Sequence, residues 1–274
     1  GGSGNDTLIL NRTSPTTVNI ASVVNQVIGG GTAIDFENID GSASTAALNV
    51  TGDVNANIIK GGSGNDTLYS GGGGDSIYGN AGNDIITFNS ADLVEDGGAG
   101  NDTLIVSQGA FTINIGNPSG QIFINAALNQ YIAGFETIDA SASTGSLFIS
   151  GVLNGSTVKG GFGSDQYNFT DTALTGTIIG GGGTDVLQVN GDITGATISG
   201  INTLLSLGGV RLTASQLAGF NFIGSGSHLY AATGGTYDMT GRGTTGDTLE
   251  ATVNTGTTLI AGATSGQTLI ASEF

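Results

Sequence analysis

Three nine-residue repeats stand head to tail at residues 61–87 and restrict what this chain can fold into. They read GGSGNDTLY, SGGGGDSIY and GNAGNDIIT, and with single departures they follow G-G-x-G-x-D-x-U-x, where U is a large apolar residue. Glycine permits turn conformations that a Cβ would forbid. The apolar residue at the eighth position faces a core, because side chains in a strand alternate between its faces. The pattern predicts short strands joined by glycine-rich turns.

The repeats also have a longer phase. Gly61, Gly79 and Gly97 open matching loops at equal intervals of two nonapeptides, and the third loop belongs to GGAGNDTLI at 97–105. Adjacent strands lie roughly 4.7–4.9 Å apart, and calcium–oxygen bonds are about 2.3–2.6 Å. An ion between two stacked loops therefore suits calcium, which takes carboxylate and carbonyl oxygens, better than the smaller magnesium.

These nonapeptides resemble the RTX, or hemolysin-type calcium-binding, repeat. In that family two nonapeptides form one turn of a parallel β-roll, and calcium lies between loops that stack from one turn to the next. The resemblance implies an all-β fold, a parallel β-roll or β-helix solenoid with calcium-binding Gly-Asp loops, and Ca2+ as the cofactor. It implies one ion between the loops at 61 and 79 and a second between the loops at 79 and 97. The ligands implied are carboxylates and carbonyls of Gly61, Ser63, Asn65, Asp66, Gly79, Ala81, Asn83, Asp84, Gly97, Ala99, Asn101 and Asp102.

The opposite edge of the predicted roll carries one loop of this kind, which ends at Asp75. Its partner two nonapeptides later is FNSADLVED at 88–96, which lacks the glycines. We therefore expect Asp75 to be a candidate ligand in a broken column, without a complete site.

Three further loops stand apart from the main run. Asp6 lies in GGSGNDTLI at the start of the chain and has no partner loop downstream. Asp165 and Asp185 lie in the loops that open at 160 and 180, an interval slightly longer than two nonapeptides. They share an ion if the turn between them carries an extra bulge. The alternative for all three is an ordinary tight turn, because glycine and aspartate both favour turns.

Composition excludes several classes of protein. The chain has 51 glycines without a G-x-y period, which excludes collagen, and its apolar residues recur throughout, which argues against disorder. A formal charge of −17 predicts no nucleic-acid partner. There is no cysteine for disulfides. The sequence also has no apolar run of about 18 residues, the length that would predict a membrane span.

Two further repeat patterns occur in the rest of the chain. FENIDGSAST at 36–45 returns as FETIDASAST at 135–144, which indicates a second and much longer period. These segments resemble bacterial S-layer proteins and large RTX adhesins. Towards the end, decapeptides advance with Leu229, Met239, Leu249, Leu259 and Leu269 in phase. We therefore expect a calcium-binding RTX-type solenoid at 1–222 and a decapeptide-repeat solenoid end at 223–274.

The sequence shows no catalytic constellation, so we expect no enzyme. His228 is the one histidine and there is no cysteine nucleophile. The resemblance implies a bacterial protein exported by type I secretion to the cell surface or the extracellular medium. We interpret the chain as a calcium-binding structural protein that folds on calcium and assembles with itself into a surface layer or filament.

Two other functions remain open from the sequence. One is an accessory RTX module of a secreted hydrolase or epimerase, which a catalytic domain upstream of Gly1 would favour. The other is a calcium-dependent adhesin, for which a cell-surface polysaccharide is the candidate partner.

Overall fold

The fold is known from a computed structural model. It describes residues 1–22, 27–28, 33–107, 109, 111–115, 122–124, 130–153, 155–224, 226–243, 246–251, 256–262 and 266–271. Parts of the predicted decapeptide segment, at 225, 244–245, 252–255, 263–265 and 272–274, lie outside these residues.

Almost every described element is a short strand. The first fifteen are β1 Thr7–Ile9, β2 Thr16–Asn19, β3 Val27–Ile28, β4 Asn38–Asp40, β5 Leu48–Thr51, β6 Ile58–Lys60, β7 Thr67–Tyr69, β8 Ser76–Tyr78, β9 Ile85–Thr87, β10 Val94–Asp96, β11 Thr103–Ile105, β12 Thr112–Ile115, β13 Ile122–Ile124, β14 Tyr131–Ala133 and β15 Thr137–Asp139. The next are β16 Phe148–Gly151, β17 Thr157–Lys159, β18 Gln166–Phe169, β19 Ala173–Ile179, β20 Val186–Ser199, β21 Thr203–Leu212, β22 Phe222–Ile223, β23 His228–Ala231, β24 Gly235–Asp238, β25 Thr248–Ala251, β26 Thr257–Ile260 and β27 Thr268–Ala271.

The described residues contain one short helix, α1, at Ala214–Ala218. Thr213 is its N-cap, and the Thr213 and Gln216 side chains form a reciprocal capping box. No helix in the described ranges has the length and apolar character that a membrane crossing needs.

The chain divides into two compact units. Unit 1 comprises Gly1–Ser107 with Pro118–Asp139, and unit 2 comprises Gln108–Asn117 with Ala140–Phe274. Each unit is a solenoid of parallel strands, which agrees with the fold class expected from the repeats.

In unit 1 the strands form two parallel ladders in the predicted phase. One ladder runs β4–β6–β8–β10–β14 and the other runs β2–β5–β7–β9–β11–β15. In the second ladder, Thr67 pairs with Ile85 and Ile85 with Thr103, so each of these rungs lies two nonapeptides after the last. The repeat predicts this register because two nonapeptides make one turn.

The eighth residue of each nonapeptide lies in the core of unit 1. Leu68, Ile77, Ile86 and Leu104 are fully buried, whereas their strand neighbours are at least partly accessible. Burying each of these side chains contributes about 1.5–3 kcal/mol. The alternation of buried and accessible positions is the two-residue period of a strand.

Unit 2 uses turns of more than one length. Phe148 pairs with Gln166, two nonapeptides further along the chain, whereas Thr157 pairs with Thr177, which lies two positions beyond that spacing. The two extra residues therefore lie between Phe169 and Thr177.

The decapeptide phase of unit 2 is partly different from the prediction. Leu229, Leu249 and Leu269 stack in one ladder at intervals of two decapeptides, a spacing that the ten-residue phase did not specify. Leu259, however, pairs with Tyr237 and not with Met239, so this interval is two positions longer. The buried Tyr237 ring takes the inward position, and Met239 lies after the end of β24.

Candidate calcium centre

The glycines of the 61–102 loops allow successive loops to approach closely. A Cβ on Gly79 would collide with the Gly97 carbonyl and with the Asp84 carboxylate, so only glycine fits there. Gly82 has a φ of 123°, a conformation that a side chain strains. These loops therefore form a cradle in which carbonyl and carboxylate oxygens face each other.

The aspartates of the loops form a ladder that runs from one rung to the next. Asp84 Oδ1 accepts the backbone N–H of Asp66, and Asp102 Oδ1 accepts that of Asp84, both at 2.7 Å. Asp66 Oδ1 accepts the backbone N–H of Leu48 at 2.7 Å. One oxygen of each carboxylate thus fixes the register of the neighbouring rung.

The second carboxylate oxygen, Oδ2, of each ladder aspartate shows whether the loops suit a cation. Among the described residues, Asp84 Oδ2 and Asp102 Oδ2 are buried without a hydrogen-bond partner, and Asp66 Oδ2 accepts the Gly62 N–H at 2.7 Å. A buried acceptor without a partner is costly. A hard cation such as calcium satisfies such oxygens, so the donor set fits this ion.

The pKa values of the ladder aspartates show that ionising these buried carboxyl groups without a cation is unfavourable. Burial, together with smaller contributions from the charges of Asp66 and Asp102, raises the pKa of Asp84 to about 7 from 3.8. Burial also raises the pKa values of Asp66 and Asp102. Without a cation, Asp84 therefore ionises less readily near neutral pH than an ordinary aspartate does.

Asparagines beside the aspartates form a second ladder. Asn65 Oδ1 accepts the Asn83 N–H at 2.9 Å, and Asn83 Oδ1 accepts the Asn101 N–H at 3.0 Å. Ala81 and Ala99 form a parallel bridge in the same loops. These contacts bring the predicted loops of 61–102 into register.

Two glutamates that the sequence analysis missed continue the carboxylate ladder. Glu136 Oε2 accepts the N–H of Asp102 at 2.8 Å, and Glu37 Oε2 accepts the N–H of Asp6 at 2.7 Å. The structure therefore places Glu37 beside Asp6, where the sequence offered no partner loop. The signal was present in the repeated FENID and FETID segments, because each glutamate holds the same position in them.

In unit 2 the structure brings Asp165 and Asp185 together. Asp185 Oδ1 accepts the Asp165 N–H at 2.8 Å, although the two loops are 20 residues apart. Asp185 Oδ2 is buried without a partner, and burial raises the pKa of Asp185 to about 6. The Tyr167 hydroxyl reaches into this loop pair and donates to the Gly180 carbonyl at 3.3 Å, a contact that the leucine or isoleucine of the 61–86 repeats does not make.

On the other edge of unit 1, Asp75 has a neighbouring carboxylate in the next rung. Asn57 donates its backbone N–H to Asp75 Oδ1 at 2.6 Å, and Asp92 Oδ1 lies 3.4 Å from the Asp75 backbone nitrogen. Asp92 thus occupies the next position of this ladder, 17 residues on. A fully buried Glu95 lies in contact with Asp92.

These arrangements limit the kind of site that the chain can form. In the described part of the chain, no three acidic or histidine side chains lie close enough to hold a metal ion by themselves. A cation would therefore use one or two carboxylates together with carbonyl or hydroxyl oxygens, as the resemblance implies. The ligand set, residue by residue, stays a prediction.

Comparison with known families agrees with this geometry. A family model described as the RTX calcium-binding nonapeptide repeat, with four copies, matches residues 51–86 and 96–110. The matched segments contain the ladder aspartates Asp66, Asp84 and Asp102. No curated protein sequence matches the chain. The chain therefore carries RTX calcium-binding nonapeptide repeats within a parallel β-solenoid, and the ion that this repeat binds is Ca2+.

Proposed function

We propose that the chain is a non-catalytic, calcium-gated structural module that assembles with other copies into an extracellular layer or filament. One observation carries this proposal. Each ladder aspartate uses one carboxylate oxygen to hold the next rung, while the other oxygen at Asp84 and Asp102 is buried without a partner. The residues that set strand register are thus the residues that need a cation.

This arrangement makes folding respond to calcium. Without a cation, neighbouring carboxylates such as Asp66 and Asp84 repel each other inside the protein, and ordering the glycine-rich loops costs conformational entropy. Calcium, when bound, supplies the positive charge that offsets this repulsion. Binding to the folded state alone stabilises it by about 2.7 kcal/mol when free calcium is 100 times the Kd.

The last described rung of unit 2 supports self-assembly. Leu269 is 40% exposed, whereas Leu229 and Leu249, the residues stacked before it in the same ladder, are buried. Among the described residues, this core position is thus unshielded beside a strand edge, and such an edge is a template for another strand. We propose that a second copy of the chain supplies that strand.

The extracellular location rests on chemistry and on the family. The chain has no cysteine, so a calcium ladder takes the place that disulfides hold in other exported proteins. Proteins with this repeat are typically exported by type I secretion. We propose the same route and a bacterial cell surface for this chain.

The experiment compares the wild-type chain with Asp84→Asn, before and after calcium is added to chelator-treated protein. Asparagine keeps the acceptor for the Asp66 N–H but removes the charge from both predicted ion sites. We expect calcium to raise the β-sheet circular dichroism and Tm of the wild type and to produce particles visible by electron microscopy, with a much weaker response in Asp84→Asn.

Asp40→Asn is the matched control. Asp40 accepts hydrogen bonds from Ser42 at an accessible bend of the same unit, so its variant should respond like the wild type. Calcium-independent folding and assembly of the wild type would contradict the proposal.

A further inference from the structure

The second edge of unit 1 has a contact between two unlike segments. The nonapeptide loop 70–75 meets the turn 89–92, which lacks the loop glycines. Leu93 donates its backbone N–H to the Asp75 carbonyl at 2.7 Å, and Asn89 Nδ2 donates to the Gly71 carbonyl at 3.1 Å. Residues 87–95 lie outside both segments that the family model matches.

Two buried carboxyl groups, those of Asp75 and Glu95, each lie beside a third, that of Asp92. Asp75, Asp92 and Glu95 are at most 1% exposed, and each has one oxygen that accepts no hydrogen bond from the part of the chain that the structure describes. Asp92 interacts with both of the others and raises their pKa values, although burial is the larger cause in each case. Burial raises the pKa of Glu95 to about 9.

Glu95 occupies a position where the repeat places an apolar side chain. It pairs with Ile77 on one side and with Ile132 on the other, so it lies within a core column. An ionised carboxylate in such a place is strongly unfavourable unless a positive charge accompanies it. None of the described groups that shift these three pKa values most is a lysine or an arginine.

A buried hydroxyl is aimed into the same cluster. Ser70 is completely buried, and its Oγ makes no hydrogen bond of normal geometry. It nevertheless lies close enough to Asp92 to lower the pKa of that carboxyl. Gly61, Gly79 and Gly97 stand at the equivalent position of the other loops, so Ser70 adds an oxygen that those loops lack.

We propose that this edge binds a divalent cation of the calcium type through the Asp75 and Asp92 carboxylates and the Ser70 hydroxyl. Two carboxylates with a hydroxyl form a hard-oxygen donor set, which calcium completes with carbonyls or water. The Glu95 carboxylate adds negative charge next to Asp92. The site shares the calcium chemistry of the proposed function but lies outside the paired nonapeptide loops.

The experiment counts calcium ions per folded chain by equilibrium dialysis at neutral pH. Asp92→Asn keeps an acceptor for the Asp75 N–H but removes the charge. We expect this variant to bind one calcium fewer than the wild type, and Asp84→Asn/Asp92→Asn to bind one fewer than Asp84→Asn. Because the count does not depend on assembly, it tests this site apart from the proposed function.

Asp40→Asn is again the control and should match the wild-type count. Ser70→Ala is a milder second variant in case Asp92→Asn does not fold, and we expect it to weaken one calcium site about tenfold. An unchanged count in folded Asp92→Asn would overturn the proposal and show that the cluster holds shared protons. If Asp92→Asn does not fold, unchanged affinities in Ser70→Ala would overturn it.

Discussion

At the scale of single residues, the aspartate of the repeat has two tasks. Asp84 shows both, since one oxygen accepts the Asp66 N–H and the other has no hydrogen-bond partner among the residues that the structure describes. Removing the side chain entirely would leave that N–H unpaired at a cost of about 1–3 kcal/mol. Removing only the charge leaves the hydrogen bond, which is why asparagine separates the two tasks.

We expect the ion-free protein to be more stable at pH 5 than at pH 8. The pKa values of Asp84 and Asp185 are raised in the folded protein to about 7 and about 6 from 3.8. A raised carboxyl pKa stabilises the fold fully below the ordinary value, and that stabilisation is lost as pH rises through the folded pKa. Urea unfolding in chelator at both pH values measures the difference.

Calcium should remove or reverse this pH dependence, because the cation favours the ionised carboxylates. A chelated protein that is more stable at pH 8 than at pH 5 would contradict the expectation. Asp84→Asn should show a smaller difference between the two pH values than the wild type, because asparagine does not titrate.

At the scale of elements, each strand of the repeat is too short to be stable alone. The strand β9 is three residues long, and its central Ile86 lies between Leu68 and Leu104 of the neighbouring rungs. Its stability thus comes from the stack, where the inward residue of one rung covers that of the next. The aspartate ladder and the stack of buried Leu68, Ile86 and Leu104 side chains therefore stabilise the same strand register.

We expect Ile86→Ala to lower the free energy of unfolding by about 2–5 kcal/mol, since it leaves a cavity in a packed column. Ile85→Ala is the matched control, because Ile85 is the same residue type on the same strand but is 41% exposed. Denaturant unfolding in saturating calcium measures both. Equal losses in the two variants would show that the column is not the stabilising element.

At the scale of the whole molecule, stacked repeats gain stability from their neighbours, so a rung without a neighbour is the weak point. The described end of unit 2 has this character at Leu269 and Ile270, which are both exposed. The nonapeptide loops with Asp66, Asp84 and Asp102 lie in unit 1, whereas the ladder at the end of unit 2 contains no loop of this type in the residues described.

We expect Leu269→Glu to reduce calcium-dependent assembly, because a charged residue on an open strand edge opposes pairing with another chain. Light scattering after calcium addition measures assembly, and circular dichroism checks that the calcium response of the fold is retained. Tyr69→Glu is the control, since Tyr69 is similarly exposed on a face of unit 1. Wild-type assembly of Leu269→Glu would argue against this edge as the contact.

Much of unit 1 could be predicted from its sequence. The nonapeptide predicts the inward residues Leu68, Ile77 and Ile86 and the register of two nonapeptides per turn, because turn glycines and strand alternation are local properties. The family match then confirmed the RTX repeat and its ion. The longer interval between Tyr237 and Leu259 was not predicted, since nothing in the decapeptides marks the extra residues.

By itself, the sequence determined the shape of each loop, the residue that enters the core and the ion that the loop suits. Only the tertiary structure decided which segments outside the nonapeptide run join the ladders. Glu37, Asp92 and Glu136 join the carboxylate ladders at intervals of 31, 17 and 34 residues, and none of these equals two nonapeptides. The physical reason is that hydrogen bonds and packing between rungs select these three partners. Both depend on the length of the chain between the rungs, which no motif in the sequence specifies.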